Sequence, residues 1–177
     1  MTQRTAAIAA VLAFALLAGP VSSNAKDASH SPDFSLRDLD NTKVTLSDLY
    51  GEGPILVSLW ALWCRPCLEE LPHLDALYRK YKDRGLRVLA VSQDSPRSQN
   101  KIKTFIKSRR YDFQVLRDPN GDLTRKFKTK VIPYTLILDS QGRIVHSRTG
   151  YRKGQEKELE EILVGLLKEN SAGGETD

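Results

Sequence analysis

The chain is poor in cysteine and histidine. It has two cysteines, Cys64 and Cys67, and three histidines, His30, His73 and His146, in 177 residues. So few cysteines exclude a small scaffold stapled by several disulfides and a four-cysteine zinc centre, which needs a second pair. No histidine has ligand spacing to another, so each reads as a linker, helix-flank or strand packing residue. Eleven glycines and eight prolines are too few for a collagen or low-complexity chain, and no self-similar period marks a repeat array. The longest unbroken apolar run, Ala6–Ala18, is shorter than the roughly 18–20 residues a spanning helix needs.

What is present suits one domain with a real core: 40% hydrophobic and 28% charged residues over a length typical of a single domain. The N-terminus is different in kind. Arg4 precedes the apolar run, Pro20 and small polar residues follow it, and Ser23-Asn24-Ala25 fits a small-x-small cleavage site. Residues 1–25 are therefore expected to be an export signal, with an uncleaved membrane anchor as the alternative. A lipid anchor is not expected, because Pro20 stands where "LLAGP" would need the lipidated cysteine. Losing Arg4 and no acid would lower the formal charge from +5 to +4. Basic residues concentrate in "KIKTFIKSRR" (101–110) and "RKFKTK" (125–130). In the first, Ile102, Phe105 and Ile106 keep a helical spacing, so its lysines read as a solvated face. Nucleic acid is not expected as a partner.

Residues 26–31 read as a linker, 32–169 as the domain and 170–177 as a flexible tail. "DFSLRDLDNTKVTLSDL" (33–49) suggests two short strands around a turn at Asp40-Asn41, then a helical turn. "ILVSLWAL" (55–62) is nearly continuously apolar, as in a strand covered on both faces. A helix is expected over 65–83, with Cys67, Glu70, Leu71, Leu74, Tyr78 and Tyr81 inward and a kink at Pro72. A buried strand over 86–93 and a helix over about 97–109 follow. Residues 113–118 read as a short edge strand and 120–127 as a short helix. Residues 134–139 and 143–150 read as a hairpin, and 155–170 as an amphipathic helix. The order predicts an α/β fold, a mixed central sheet with helices on both faces.

Three readings of the cysteine pair compete. A structural Cys-x-x-Cys bridge closes a four-residue loop, worth about 2 kcal/mol by chain entropy, which a domain with this core does not need. Zinc lacks further ligands. A reactive pair needs an attacking thiolate, a resolving thiol within reach and an environment that ionises the first. Cys64 falls between a buried strand and a helix, where unpaired helical N–H groups lower a thiol pKa. Arg65 adds a cation, Pro66 is tolerated in the first helical turn, and Cys67 faces inward one turn later, placed to attack a mixed disulfide.

"WALWCRPC", Pro72 five residues beyond Cys67, "VIPYTLILD" and Gly150 together resemble the thioredoxin superfamily over about residues 32–168. The lead-in 33–49, the "CLEELPHL" continuation and Glu70 resemble the TlpA/ResA group of exported thiol-disulfide oxidoreductases within it. Thioredoxin's buried aspartate would fall at Ser58, which cannot act as that acid. The resemblance implies a thioredoxin-like fold, Cys64 as nucleophile, Cys67 as resolving thiol and a functional carboxylate at Glu70. It makes Pro133 the cis-proline, and Trp63, Ile132 and Pro133 the substrate-binding residues. Arg65 and Pro66, between the cysteines, are the candidate redox-tuning residues, and Trp60 is expected to be core packing. The redox group is the Cys64–Cys67 disulfide, with no metal and no separate cofactor expected. Implied partners are cysteine-containing proteins, such as apocytochromes c or copper-site assembly proteins, and a membrane thiol-disulfide transporter as electron donor. The implied location is periplasmic or otherwise extracytoplasmic. Glu70 lies three residues after Cys67 on a face that is otherwise apolar, so its pKa is expected to be raised by burial.

Two other classes share this texture. Peroxiredoxins carry a Pro-x-x-x-Thr-x-x-Cys loop, and residues 57–64 have neither the proline nor the threonine. Sco-like copper-binding proteins use Cys-x-x-x-Cys and a distant histidine; the spacing here is one residue short, and His146 would have to be the third ligand.

Overall fold

The apolar run Ile55-Leu56-Val57-Ser58-Leu59-Trp60 forms the central strand, and all six residues are buried. A strand covered on both faces has no polar side to alternate with, which is why the run reads as continuous. The structure is a computed structural model and describes residues 29–173. The expected export signal, residues 26–28 of the expected linker and the last four residues lie outside the described residues.

In chain order the elements are β1 (Ser35–Asp38), β2 (Lys43–Thr45), β3 (Ile55–Trp60), α1 (Arg65–Tyr81), β4 (Arg87–Ser92), α2 (Gln99–Arg109), β5 (Gln114–Arg117), α3 (Asp122–Lys126), β6 (Tyr134–Leu138), β7 (Ile144–Thr149) and α4 (Glu156–Gly173). They build one seven-stranded mixed sheet, ordered β2-β1-β5-β4-β3-β6-β7. The β3–β4 and β4–β5 pairs are parallel and the others antiparallel. Two successive crossovers in the same direction and of the same hand put α1 and α2 on one face. There α4 packs on α1, and its Leu159, Leu163 and Leu167 join Leu71, Leu74, Ile102 and the β3 residues Leu56 and Trp60 in one buried cluster. The other face is closed by α3 through Leu123, by Phe34 and by the turn at Leu46, over Val57, Leu59 and Leu136. The fold is thioredoxin-like, with helices on both faces of a mixed sheet.

The structure corrects several expected details. The segment expected to be an edge strand is β5, which lies inside the sheet because the β1–β2 hairpin docks antiparallel along it (Arg37↔Arg117, Asp38↔Leu116). Arg117 holds that hairpin in place, its guanidinium donating to the Asp38 carbonyl (3.0 Å) and to Asn41 Oδ1 (3.2 Å). On α1, Tyr78 is only half-buried, while Asp75 and Leu77 are buried. The Asp75 carboxylate accepts from the Asp112 backbone N–H (2.7 Å) and from Arg79 Nε (2.6 Å), tying α1 to the segment after α2. The helix continues past Pro72 to Tyr81. Residues 96–98 form a 3₁₀ turn before α2 begins at Gln99. Helix α4 runs to Gly173, into the stretch expected to be a tail. Ser29–Ser31, expected to be linker, pair with the start of β7: Ser29 accepts from Ile144 N–H (3.0 Å) and Ser31 donates to Gly142 (2.9 Å).

Leu163 is fully buried and Ile162, its neighbour on α4, only partly. Leu163→Ala is expected to cost about 2–5 kcal/mol and Ile162→Ala clearly less. Urea unfolding with unchanged m-value measures both, and equal losses would contradict this docking of α4.

Candidate active site

The site grows from the end of β3. The chain turns after Trp60: Cys64 N–H donates to the Ala61 carbonyl (3.1 Å), and Leu62 N–H donates to Asp94 Oδ2 (2.9 Å). Asp94 sits just beyond β4, buried, and also accepts from Ser92 Oγ (2.9 Å). The end of β4 thus pins the loop that presents the cysteines. Sequence reasoning did not single out Asp94; a carboxylate directly after a buried strand was its only signal.

Cys64 is the N-cap of α1. Its Sγ accepts from the Cys67 backbone N–H at 3.3 Å, so one first-turn donor of the helix points at this sulfur. Arg65 and Pro66 occupy the first two helical positions, where proline's missing N–H leaves no bond unmade. The two cysteines form a disulfide with Cα atoms 5.3 Å apart. Cys67 has no exposed surface and Cys64 keeps 6%, so Cys64 carries the sulfur a partner can reach. The Arg65 side chain is 91% exposed and meets only Glu69, at 3.4 Å. An exposed pair of this kind contributes at most about 1 kcal/mol.

Trp63, 71% exposed, stands beside the pair. Trp60 is fully buried in the core, against Phe105. The Ile132–Pro133 peptide is cis, and the Ile132 carbonyl oxygen lies 3.7 Å from Cys64 Sγ. Gly150 N–H donates to the Pro133 carbonyl (2.7 Å) from a backbone with φ +78°, a conformation glycine adopts without steric cost. The structure therefore brings Cys64, Cys67, Trp63, Ile132 and Pro133 together, with Arg65 and Pro66 on the first turn of α1.

Glu70 is one turn beyond Cys67 and 1% exposed. The expected apolar surroundings are corrected here. Ser58, Thr135 and Arg148 are register partners on β3, β6 and β7, one rung across the sheet, and all three reach the carboxylate. Ser58 Oγ donates to Oε2 (3.2 Å), Thr135 Oγ1 to Oε1 (3.0 Å) and Arg148 Nη2 to Oε1 (2.7 Å). Burial pushes the Glu70 pKa above its ordinary 4.5, with the Arg148 charge and the three hydrogen bonds opposing. Arg148, Thr135 and the role of Ser58 were missed, because residues far apart in the chain meet only through strand register.

His146 lies on β7 with Nε2 buried and without a hydrogen-bond partner, and burial lowers its pKa. Among the described residues no three His, Cys, Asp or Glu side chains gather as metal ligands, so His146 does not join the cysteines in a Sco-like set. His73 lies near the Tyr151 ring and His30 bridges to Arg143.

Residues 28–147 match the family model described as the AhpC/TSA family. The chain belongs to this family. It is similar to the thiol-disulfide oxidoreductase ResA of Bacillus thuringiensis, 29% identical over 133 residues that cover 75% of this chain and 74% of the relative. ResA of Bacillus subtilis is 29% identical, with 70% and 68% covered. Among solved structures, one assigned as the thiol:disulfide interchange protein DsbE of Chlorobium tepidum superposes with TM-score 0.73 at 28% identity, covering 79% of this chain and 96% of that one. An uncharacterized thioredoxin-like protein of Porphyromonas gingivalis does so with TM-score 0.67 at 33% identity, covering 80% and 95%. With the Cys64–Cys67 pair at disulfide distance, this chain is a thiol-disulfide oxidoreductase of the ResA/DsbE type.

The Glu70 shift has a sign that can be checked. A carboxyl whose folded pKa is raised binds more protons folded than unfolded, so its contribution to stability falls as pH rises from 4.5 through the folded pKa. For the oxidised protein, in which the cysteines do not titrate, the stability of wild type relative to Glu70→Gln is expected to decline across that window. Denaturant unfolding between about pH 4 and pH 8 measures it. A flat difference, or one that grows with pH, would contradict the raised pKa.

Proposed function

We propose that the protein is an extracytoplasmic reductase of protein disulfides, acting on cysteine-containing partners in cytochrome c maturation or copper-site assembly and recharged by a membrane thiol-disulfide transporter. The observation that carries the chemistry is the asymmetry of the pair: Cys64 Sγ caps a helix, keeps some exposure and lies beside the Ile132 carbonyl, while Cys67 is fully buried. The resemblance of Met1–Ala25 to an export signal and the ResA-type relatives support the location and the pathway.

In the reduced protein the Cys64 thiolate attacks one sulfur of a partner disulfide. The partner's S–S bond breaks, a mixed disulfide forms on Cys64, and the other partner sulfur leaves as a thiolate. Cys67 then gives up its proton, with Glu70 as acceptor, and attacks Cys64 Sγ. The mixed disulfide breaks, the Cys64–Cys67 bond forms, and the second partner thiolate departs. Two electrons pass to the partner, and a donor dithiol returns the pair to its reduced form. The exposed Trp63 and the Ile132 backbone flank the sulfur under attack, as an extended partner segment would require.

Cys64→Ser is expected to abolish reduction of insulin disulfides, and Cys67→Ser to accumulate mixed disulfides identifiable by mass spectrometry. A Cys64→Ser protein that still traps partners through Cys67 would reverse the roles. The direction of flux is tested separately. Arg65 is too exposed to stabilise a thiolate strongly, and an acid buried one turn from Cys67 opposes ionisation there. The potential in glutathione buffers is therefore expected nearer the roughly −270 mV of thioredoxin than the roughly −120 mV of DsbA. A value above about −180 mV, the scale of protein disulfide isomerase, would make the protein an oxidant or isomerase instead.

A further inference from the structure

Arg148 has no role in the chemistry so far, yet it is the most unusual charge in the molecule. Its side chain is 8% exposed, in the interior strand face of β7, and its ion pair with Glu70 spans 78 positions of sequence. The guanidinium is held from several sides. Nη2 donates to Glu70 Oε1 (2.7 Å) and Nη1 to the Gln155 carbonyl (3.2 Å), just before α4. The Tyr151 ring lies 5.8 Å from the guanidinium carbon. Nε is buried without a hydrogen-bond partner. A buried arginine with an unpaired donor is costly, and the fold retains it against this one carboxylate.

The three donors on Glu70 are not equivalent. Ser58 and Thr135 carry hydroxyls, which can turn to accept from a protonated carboxyl as readily as they donate to a carboxylate. Arg148 can only donate and cannot lose its charge. Its contact keeps a proton off Oε1, and its fixed positive charge favours the ionised carboxylate over the acid protonated at Oε2. Burial alone would favour the protonated acid, which could not accept a proton from Cys67.

We propose that Arg148 is a positioning residue for the resolving step: it keeps the Glu70 carboxylate ionised and oriented on the α1 face it shares with Cys67, ready to accept the Cys67 proton. This rests on the reaction proposed above. Around the pair, among the described residues, Cys67 lies one turn before Glu70 on α1, Tyr151 after β7 feels the Glu70 charge, and His146, two residues before Arg148 on the same face of β7, feels Arg148 and Glu158 of α4. Ser58 on β3 and Thr135 on β6 bear no charge. Tyr151 is hydrogen-bonded to Glu156 and its pKa is pushed up to about 12, chiefly by burial, and the His146 pKa is pushed down by burial. Burial disfavours the charged form of each, and Arg148 is the cation in contact with Glu70 that opposes its burial.

The test follows one proton. A mixed disulfide between Cys64 and a small aromatic thiol is prepared at low pH, and its resolution by Cys67 is followed by thiol release after a pH jump. Carboxyl NMR of the oxidised protein gives the Glu70 titration in parallel. In Arg148→Met the Glu70 titration and the rising limb of the rate are both expected to move up by about one pH unit or more, the usual effect of losing an adjacent opposite charge. Arg148→Gln, which keeps a donor and drops the charge, is expected to move them likewise, and it serves if the methionine variant does not fold. Arg148→Lys is expected to return both most of the way to wild type. On a Glu70→Gln background, replacing Arg148 is expected to shift no limb. A folded Arg148→Met or Arg148→Gln protein with an unchanged titration, or with a rate limb that does not follow it, overturns the proposal. Because the probe is a small thiol, this outcome is separate from a failure of the wild-type protein to reduce protein disulfides, which would overturn the proposed function instead.

Discussion

A carboxylate sealed inside the molecule is the constraint around which the active-site half of this fold is arranged. Removing a charged carboxylate from water costs several kcal/mol unless it is paired and hydrogen-bonded. Glu70 meets that demand with donors from three adjacent strands in one rung, Ser58, Thr135 and Arg148. The consequence is geometric as well as energetic. For the three to reach one side chain, β3, β6 and β7 must hold their register, and α1 must lie across them with Glu70 turned inward. A one-residue slip of β7 would carry Arg148 to the opposite face of the sheet. The same helix presents Cys67 one turn earlier, so the registration that satisfies the carboxylate also sets the cysteine pair against the segment before β6.

That segment and two others meet at the sulfurs. The loop after β3 carries Cys64, and its Leu62 amide is held by Asp94 from the end of β4. The Ile132 carbonyl arrives from the other side, and its neighbour Pro133 is held to Gly150 at the end of β7. Asp94 and Gly150 each lie within two residues of the end of a strand, so the loops they hold are fixed close to the sheet. A reacting group is held more precisely in this way, since strands move less than the connections between them. Trp63, beside the pair, leaves a large apolar side chain open to solvent with no internal packing reason to do so.

The parts of this arrangement that were legible in the sequence are those whose causes are local. The buried run of β3, the hairpin β6–β7 and the Cys-x-x-Cys pair at a strand-to-helix junction depend on residues within a few positions of one another. The interior place of β5 was not legible, because four residues with polar ends look the same whether solvent or another strand lies alongside. What covers them is a hairpin from the start of the domain, and Arg117, which reads as an edge charge, is the clasp that holds it. Glu70 could be placed inward by helix spacing, but its partners could not. In "IVHSRT" the alternation shows two faces without saying which one meets a carboxylate more than seventy residues away. Asp75 escaped for the same reason: a charge whose partners are the Asp112 backbone and Arg79 looks like surface until the chain is folded.

On the proposed mechanism, the two sulfurs need opposite protonation at the moment a partner arrives, and the site separates the means of achieving it. Cys64 receives the Cys67 amide at the head of α1, a fixed dipole that favours a thiolate and needs no second charge. Cys67 lies inside the helix face, away from water, where burial favours the thiol, and the ionised Glu70 adds to that preference. An unpaired anion at Glu70 would also reach toward Cys64 and raise its pKa, weakening the nucleophile. Arg148, at 2.7 Å from Oε1, makes the pair close to neutral at a distance while the carboxylate stays on the helix face it shares with Cys67. A neutral acid at position 70 would spare Cys64 but could not receive the proton, and a lone anion could receive it at the expense of Cys64. The buried ion pair is the arrangement that meets both requirements, which gives a physical reason for the fold to bear the cost of burying two charges.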